Sequence, residues 1–272
     1  MKSLFKFLMI LVGVLMFTNT QAQNSGTSPY TGSTHTYTIT KSSIAGTTLA
    51  WTIPDGTSGT DFNFVGTTDQ TSVQVQWLAT GTFTLQVAET RTDLAPALAG
   101  CPTTRTISVT VTNNTFDVLA ALVTDADACA TVSNPVTDVS ADGNNSDDVF
   151  GTTTRNFTVS MSGGDVAKTW SFDFSVNDIT TANKVTGVLV NGVAALSGTI
   201  NVSANTASQT ITVVYNTNKN TGSVDGQDPD FAINLTISNA KDELGTPDSN
   251  AGNNVATYNV KAVPATTGII TD

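Results

Sequence analysis

The sequence has little with which to do acid–base or metal chemistry. One histidine, two cysteines and two glutamates occur in 272 residues. Those numbers exclude His-rich zinc sites, four-cysteine zinc sites and iron–sulfur clusters, which need several such ligands at once. Charged residues make up only 12% of the chain, about half the usual ~25%. Beyond residue 22 no apolar run approaches the ~18 residues of a membrane span. Threonine fills the space left by charge, with 50 residues. Thr-rich, charge-poor segments with β-branched alternation fit pleated sheet better than helix.

Residues 1–22 read as a secretory signal: Lys2 and Lys6 precede the apolar run Phe7–Phe17, and Thr20-Gln21-Ala22 supplies small residues before a cut ahead of Gln23. The apolar run is too short for a ~30 Å bilayer core. An exported, cleaved chain is therefore expected, at the cell surface or outside the cell, with the periplasm not excluded and no direct membrane insertion of the mature chain. Charge is uneven. Residues 24–113 hold five acids and three bases (5 − 3, net −2), and residues 114–272 hold seventeen acids and six bases (17 − 6, net −11). No basic face is available for nucleic acid.

The expected domains are a polar lead over 23–32, a sandwich over 33–113, an acidic sandwich over 114–262 and a tail over 263–272. Alternation carries that division. His35, Tyr37 and Ile39 share one face of 34–40, and Val73, Val75 and Trp77 share one face of 72–78. Phe83, Leu85 and Val87 lie inward on 82–90, and Ile107, Val109 and Val111 on 104–112. Strands are also expected at 48–53 and 61–65. The second half repeats the rhythm at 115–123, 155–161, 169–176, 184–190, 198–203, 209–215, 230–238 and 255–260. Many short period-2 strands between turn residues predict an all-β chain of two tandem antiparallel immunoglobulin-like sandwiches. No helix longer than a turn or two is expected.

The run SVQVQWLATGTFTLQVAET, a following Gly-Cys and then TISVTV, with upstream TGSTHTYTIT and the strand holding Trp51, resembles PKD-like immunoglobulin-type domains of Bacteroidota surface and secreted proteins. The resemblance covers residues 29–113. It implies spacer or adhesive modules, without shared catalytic residues, in proteins associated with type IX secretion or gliding. A Lys-rich sorting domain does not follow residue 262, which leaves a periplasmic role, or a role as partner of larger adhesins, open.

Two sets of side chains invite a chemical reading. Asp142, Asn144, Asp147 and Asp148 crowd one loop, and Asp225, Asp228 and Asp230 another. Calcium takes 6–8 oxygens and such loops can supply them. The EF-hand spacing is not met, because the glycine after Asp142 comes too early. Solvated turn aspartates are the leading reading and calcium the alternative. Cys101 and Cys129 form an even pair in an exported protein. If Asn113-Asn114 makes a tight hairpin, residues 115–123 fold back on 104–112 and the pair can bond; otherwise two thiols remain. His35 lacks the base–orienter chain that catalysis needs, and Trp51 and Trp77 sit on core parity. The expected protein is no enzyme. It is a structural or adhesive exported protein whose partners are other cell-surface proteins or glycans, with a calcium-assisted glycan-binding module as the alternative. No cofactor other than that calcium is expected.

Overall fold

The computed structural model describes residues 25–93, 102–123, 127–129, 152–178, 185–216 and 231–261, with backbone alone at 127–129, 178, 216 and 231. The chain divides into two compact units between Asn114 and Thr115. Apart from a 3-10 turn at Ala251–Asn253, all regular structure among the described residues is strand. No helix among them is long and apolar enough to cross a membrane.

The first unit holds β1 (Thr34–Thr38), β2 (Thr47–Thr52), β3 (Phe62–Val65), β4 (Ser72–Trp77), β5 (Gly81–Arg91) and β6 (Thr103–Val111). They form two three-stranded sheets, ordered β1-β4-β3 and β2-β5-β6. With β1 to β6 taken as strands B to G, these are the B-E-D and C-F-G sheets of an immunoglobulin sandwich. The alternation produces the packing. Val75, Trp77 and Val109 are fully buried, and Tyr37, Trp51, Phe62, Phe83 and Leu85 join them in one core between the sheets. Ile107 departs from the expected burial, at 42% exposed. Val109 and Val111, further along the same face of β6, are buried, so the exposure is confined to the end of the strand that carries Arg105.

The polar lead belongs to this sandwich. Tyr30 is buried and bridges Thr112 in parallel, and Thr110 and Thr112 donate backbone N–H groups to Thr27 and Pro29. Tyr37 donates its hydroxyl to the Gly26 carbonyl at 2.7 Å and accepts from Trp77 Nε1 at 3.1 Å. The lead thus covers the open edge of β6, which would otherwise present unpaired backbone groups.

The second unit holds β7 (Asp117–Leu122), β8 (Asp127–Cys129), β9 (Thr152–Ser162), β10 (Trp170–Asp178), β11 (Val185–Val190), β12 (Val193–Ala194), β13 (Ser197–Val202), β14 (Ser208–Asn216), β15 (Phe231–Asp242) and β16 (Val255–Lys261). Its sheets are ordered β12-β11-β14-β9-β7 and β13-β10-β15-β16-β8. The same B-E-D and C-F-G core recurs as β9-β14-β11 and β10-β15-β16. The leading strand switches sheets: β7 pairs antiparallel with β9, and β8 pairs parallel with β16. The expected inward sets are packed, with Phe157, Val159, Phe172, Ile211, Val213, Tyr215, Ile233 and Leu235 fully buried.

Of the two courses open at Asn113-Asn114, the tight hairpin that folds 115–123 back on 104–112 is not formed. β6 is laddered to β5, and β7 to β9. Residues 115–123 carry their apolar face, Phe116 and Val118, into the core of the second unit, and that burial outweighs a local turn. Two short strands, β8 and β12, were not legible as alternation.

Candidate functional site

The side chains that most resemble binding groups in the sequence are used for packing. Each tryptophan is buried and its indole N–H is satisfied: Trp51 by the Gln70 carbonyl at 2.8 Å, Trp77 by Tyr37 and Trp170 by the Thr206 carbonyl at 2.8 Å. Tyr30, Tyr37, Tyr215 and Tyr258 are buried as well, and Arg155 stacks over the Tyr258 ring at 4.8 Å. His35 is buried, with Nε2 3.1 Å from the Ser33 hydroxyl.

Several of the described aspartates act as clamps on the backbone. Asp55 accepts the Thr84 N–H with both oxygens at 2.9 Å, and that bond holds its carboxyl below the usual range. Asp242 accepts from the N–H groups of Leu244 and Thr246 at 2.9 and 2.8 Å. Asp248 accepts from Val118, Asn250 and the Asn254 amide, tying the 248–254 segment to β7. This is the turn chemistry for which short carboxylates are suited.

Asp142, Asn144, Asp147, Asp148, Asp225, Asp228 and Asp230 lie outside the described residues, as does Cys101. Cys129 is described by its backbone, paired with Lys261. The stems of the two acidic loops are in view. Thr152, which follows the first loop, and Asn216, which precedes the second, are Cα partners at the end of the β9–β14 ladder. Both loops therefore issue from the same end of this sandwich. Among the described residues no group of three metal-ligating side chains is found.

The first unit has an open mouth that the sequence pattern did not reveal. The inward parity of β5 runs Phe83, Leu85, Val87 and then continues to Glu89 and Arg91, while Arg105 stands opposite Val87 on β6. The apolar filling stops at Val87, and a cleft of about 450 Å³ follows, walled on its other side by Ile39, Ser42 and Ile44. Ser42 donates its N–H and hydroxyl to Glu89, at 3.2 and 2.5 Å, and keeps that carboxyl below its ordinary range. Arg91 forms a two-point pair with Asp93 at 3.0 and 2.6 Å. Lys41, beside the lining residues, donates to the Thr47 carbonyl at 2.6 Å. Arg105 has neither an ion pair nor a hydrogen bond among the described residues. The readable signal was charge on inward parity at the end of a long strand.

The outer face of β10, β13 and β15 is grooved but internally satisfied. Asp173 accepts from the Asn239 amide at 2.8 Å and from the Thr199 hydroxyl, which lower its carboxyl in that order. Glu243 pairs with Lys168 at 2.8 Å.

The fold and these surfaces define an all-β protein of two immunoglobulin-type sandwiches. No family model matches the chain, and no curated protein matches it. Among solved structures it is similar to Dpr2 Ig1-Ig2 in complex with DIP-Theta Ig1-Ig3, at 12% identity over 88% of this chain and 94% of that one, with a TM-score of 0.27. It is also similar to the D00-D0 domain of intimin, at 11% identity over 90% and 95%, TM-score 0.25. A third is CfaE, the adhesive subunit of CFA/I fimbria of enterotoxigenic Escherichia coli, at 10% identity over 80% and 73%, TM-score 0.29. At such TM-scores these superpositions define no shared arrangement over the whole chain, and no ligand or partner passes from those proteins to this one.

Proposed function

We propose that the chain is a non-catalytic, exported protein that serves as a structural or adhesive part of a Bacteroidota cell-surface assembly, in association with type IX secretion or gliding machinery or with larger adhesins. One observation carries the reading: the three tryptophans, four tyrosines and single histidine are all buried in the sandwiches. Among the described residues, what the protein offers to the outside is Thr-rich strand faces, loops and a charged mouth. Such a surface suits association with other cell-surface proteins, while well-packed sandwiches suit spacing.

Cross-linking in intact cells followed by purification from the native envelope tests this. Other envelope proteins recovered in fixed ratio to the chain are expected. Recovery of the chain alone, or with cytoplasmic enzymes, contradicts it.

A second reading is a calcium-assisted glycan-binding module. The adjacency of Thr152 and Asn216 favours it, since carboxylates from two loops can then contribute to one ion. Its test is the effect of calcium on melting and on retention by immobilised glycans.

A further inference from the structure

We propose that the mouth of the first unit is a binding site for a carboxylate carried on an aliphatic chain, as a Glu side chain in an extended acidic peptide presents it. Four features of the mouth converge on that chemistry. The first is an unspent charge. Glu89 is occupied by Ser42, and Arg91 by Asp93, but Arg105 faces the cleft without an anionic partner among the described residues. A guanidinium presents a planar fork that matches a carboxylate at two points.

The second is the local charge balance. All three bases of residues 24–113, Lys41, Arg91 and Arg105, stand at or beside this mouth against Glu89 and Asp93, so the local sum is 3 − 2 = +1 in a chain of net −11. An acidic ligand repelled elsewhere is tolerated here.

The third is the wall. Ile44 is 48% exposed beside the cleft, and Ile39 and Val87 also line it. Methylene groups leading to a carboxylate gain contact there. A sugar ring, polar on its rim, gains less, which favours peptide over uronate glycan.

The fourth is built-in order. Thr47 is laddered to Arg91, and Thr92 donates its N–H to the Gly46 carbonyl, so the wall segment is fixed to β5. A rigid site loses less on binding.

The test uses the full mature chain and calorimetric titration with acetyl-Val-Glu-Val-Glu-amide, its Gln counterpart, and a glucuronate-containing tetrasaccharide. The Glu peptide is expected to bind, with affinity falling as salt rises, and the Gln peptide to bind up to about fivefold more weakly. Arg105→Gln is expected to remove that preference without changing the melting temperature, because the side chain is exposed and has no partner among the described residues; Arg105→Lys is expected to recover it in part. Sedimentation of the chain alone identifies the source. Self-association that Arg105→Gln abolishes means an acidic segment of a second copy, and a stable monomer means another protein; either agrees with the site. Equal binding of the two peptides, no binding of the Glu peptide at millimolar concentration, or indifference to Arg105→Gln overturns the proposal. Stronger, Arg105-dependent binding of the tetrasaccharide overturns the peptide assignment in favour of a glycan.

Discussion

Thr152 and Asn216 face each other as the last Cα partners of the β9–β14 ladder. Antiparallel partners stand about 4.5–5.5 Å apart. Thr152 follows in the chain the segment that carries Asp142, Asn144, Asp147 and Asp148, and Asn216 precedes the one that carries Asp225, Asp228 and Asp230. If calcium binds there, it draws on both. Millimolar calcium is then expected to raise the melting temperature, by about 2.7 kcal/mol of stability at a hundredfold excess over Kd. Asp147→Asn and Asp228→Asn are each expected to reduce that shift. An unchanged melting curve in calcium removes the second reading and leaves the acids as a solubilising coat.

Tyr37 connects the lead to the core, and its ionisation is expected to limit alkaline stability. Burial pushes its hydroxyl up to about 12, partly offset by the Trp77 hydrogen bond. An unfolded tyrosine titrates near ~10. Between these values the unfolded chain has lost its proton while the folded chain retains it, so stability is constant below pH ~10 and falls as pH rises toward 12. The loss is on the order of 2 kcal/mol. Denaturation midpoints from pH 8 to 12 check this. In Tyr37→Phe the slope is expected to shrink, while the unpaired Trp77 N–H costs about 1–3 kcal/mol at neutral pH.

Gly163 and Gly192 both adopt left-handed backbone, at φ of 65° and 84°. A Cβ on Gly163 would lie 1.7 Å from the Thr115 carbonyl oxygen, whereas one on Gly192 meets nothing within 4 Å. Gly192→Ala is expected to cost about 1–2 kcal/mol through backbone strain alone. Gly163→Ala is expected to cost clearly more, because the Thr115 backbone must move as well. Urea denaturation of the two variants checks the order.

Cys101 and Cys129 are expected to be thiols. The register that would bring them together required 115–123 to fold back on 104–112, and β6 and β7 instead pair with β5 and β9. Titration of the denatured chain should count two thiols with and without reductant. None without reductant contradicts this.

Much of the fold was legible because one-faced alternation is a local signal. Val73, Val75 and Trp77, or Phe172 and Phe174, announce a buried face without knowledge of the partner strand. What alternation cannot announce is pairing. The return of Tyr30 to β6 and the switch of the leading strand from β9 to β16 depend on contacts distant in the chain. Asn113-Asn114 had turn chemistry, but Phe116 and Val118 had a core to fill. The mouth was half legible: Glu89 and Arg91 continue an apolar parity with charge, yet only the facing wall makes that a cleft.

The proposed function rests on export to the surface of a chain cut ahead of Gln23. Labelling intact cells with a membrane-impermeant amine reagent, followed by mass spectrometry of the labelled chain, tests it most directly. Label on exposed lysines such as Lys168, with a first residue at or next to Gln23, is the expected result. Label acquired only after lysis, on a chain that retains Met1, would contradict it.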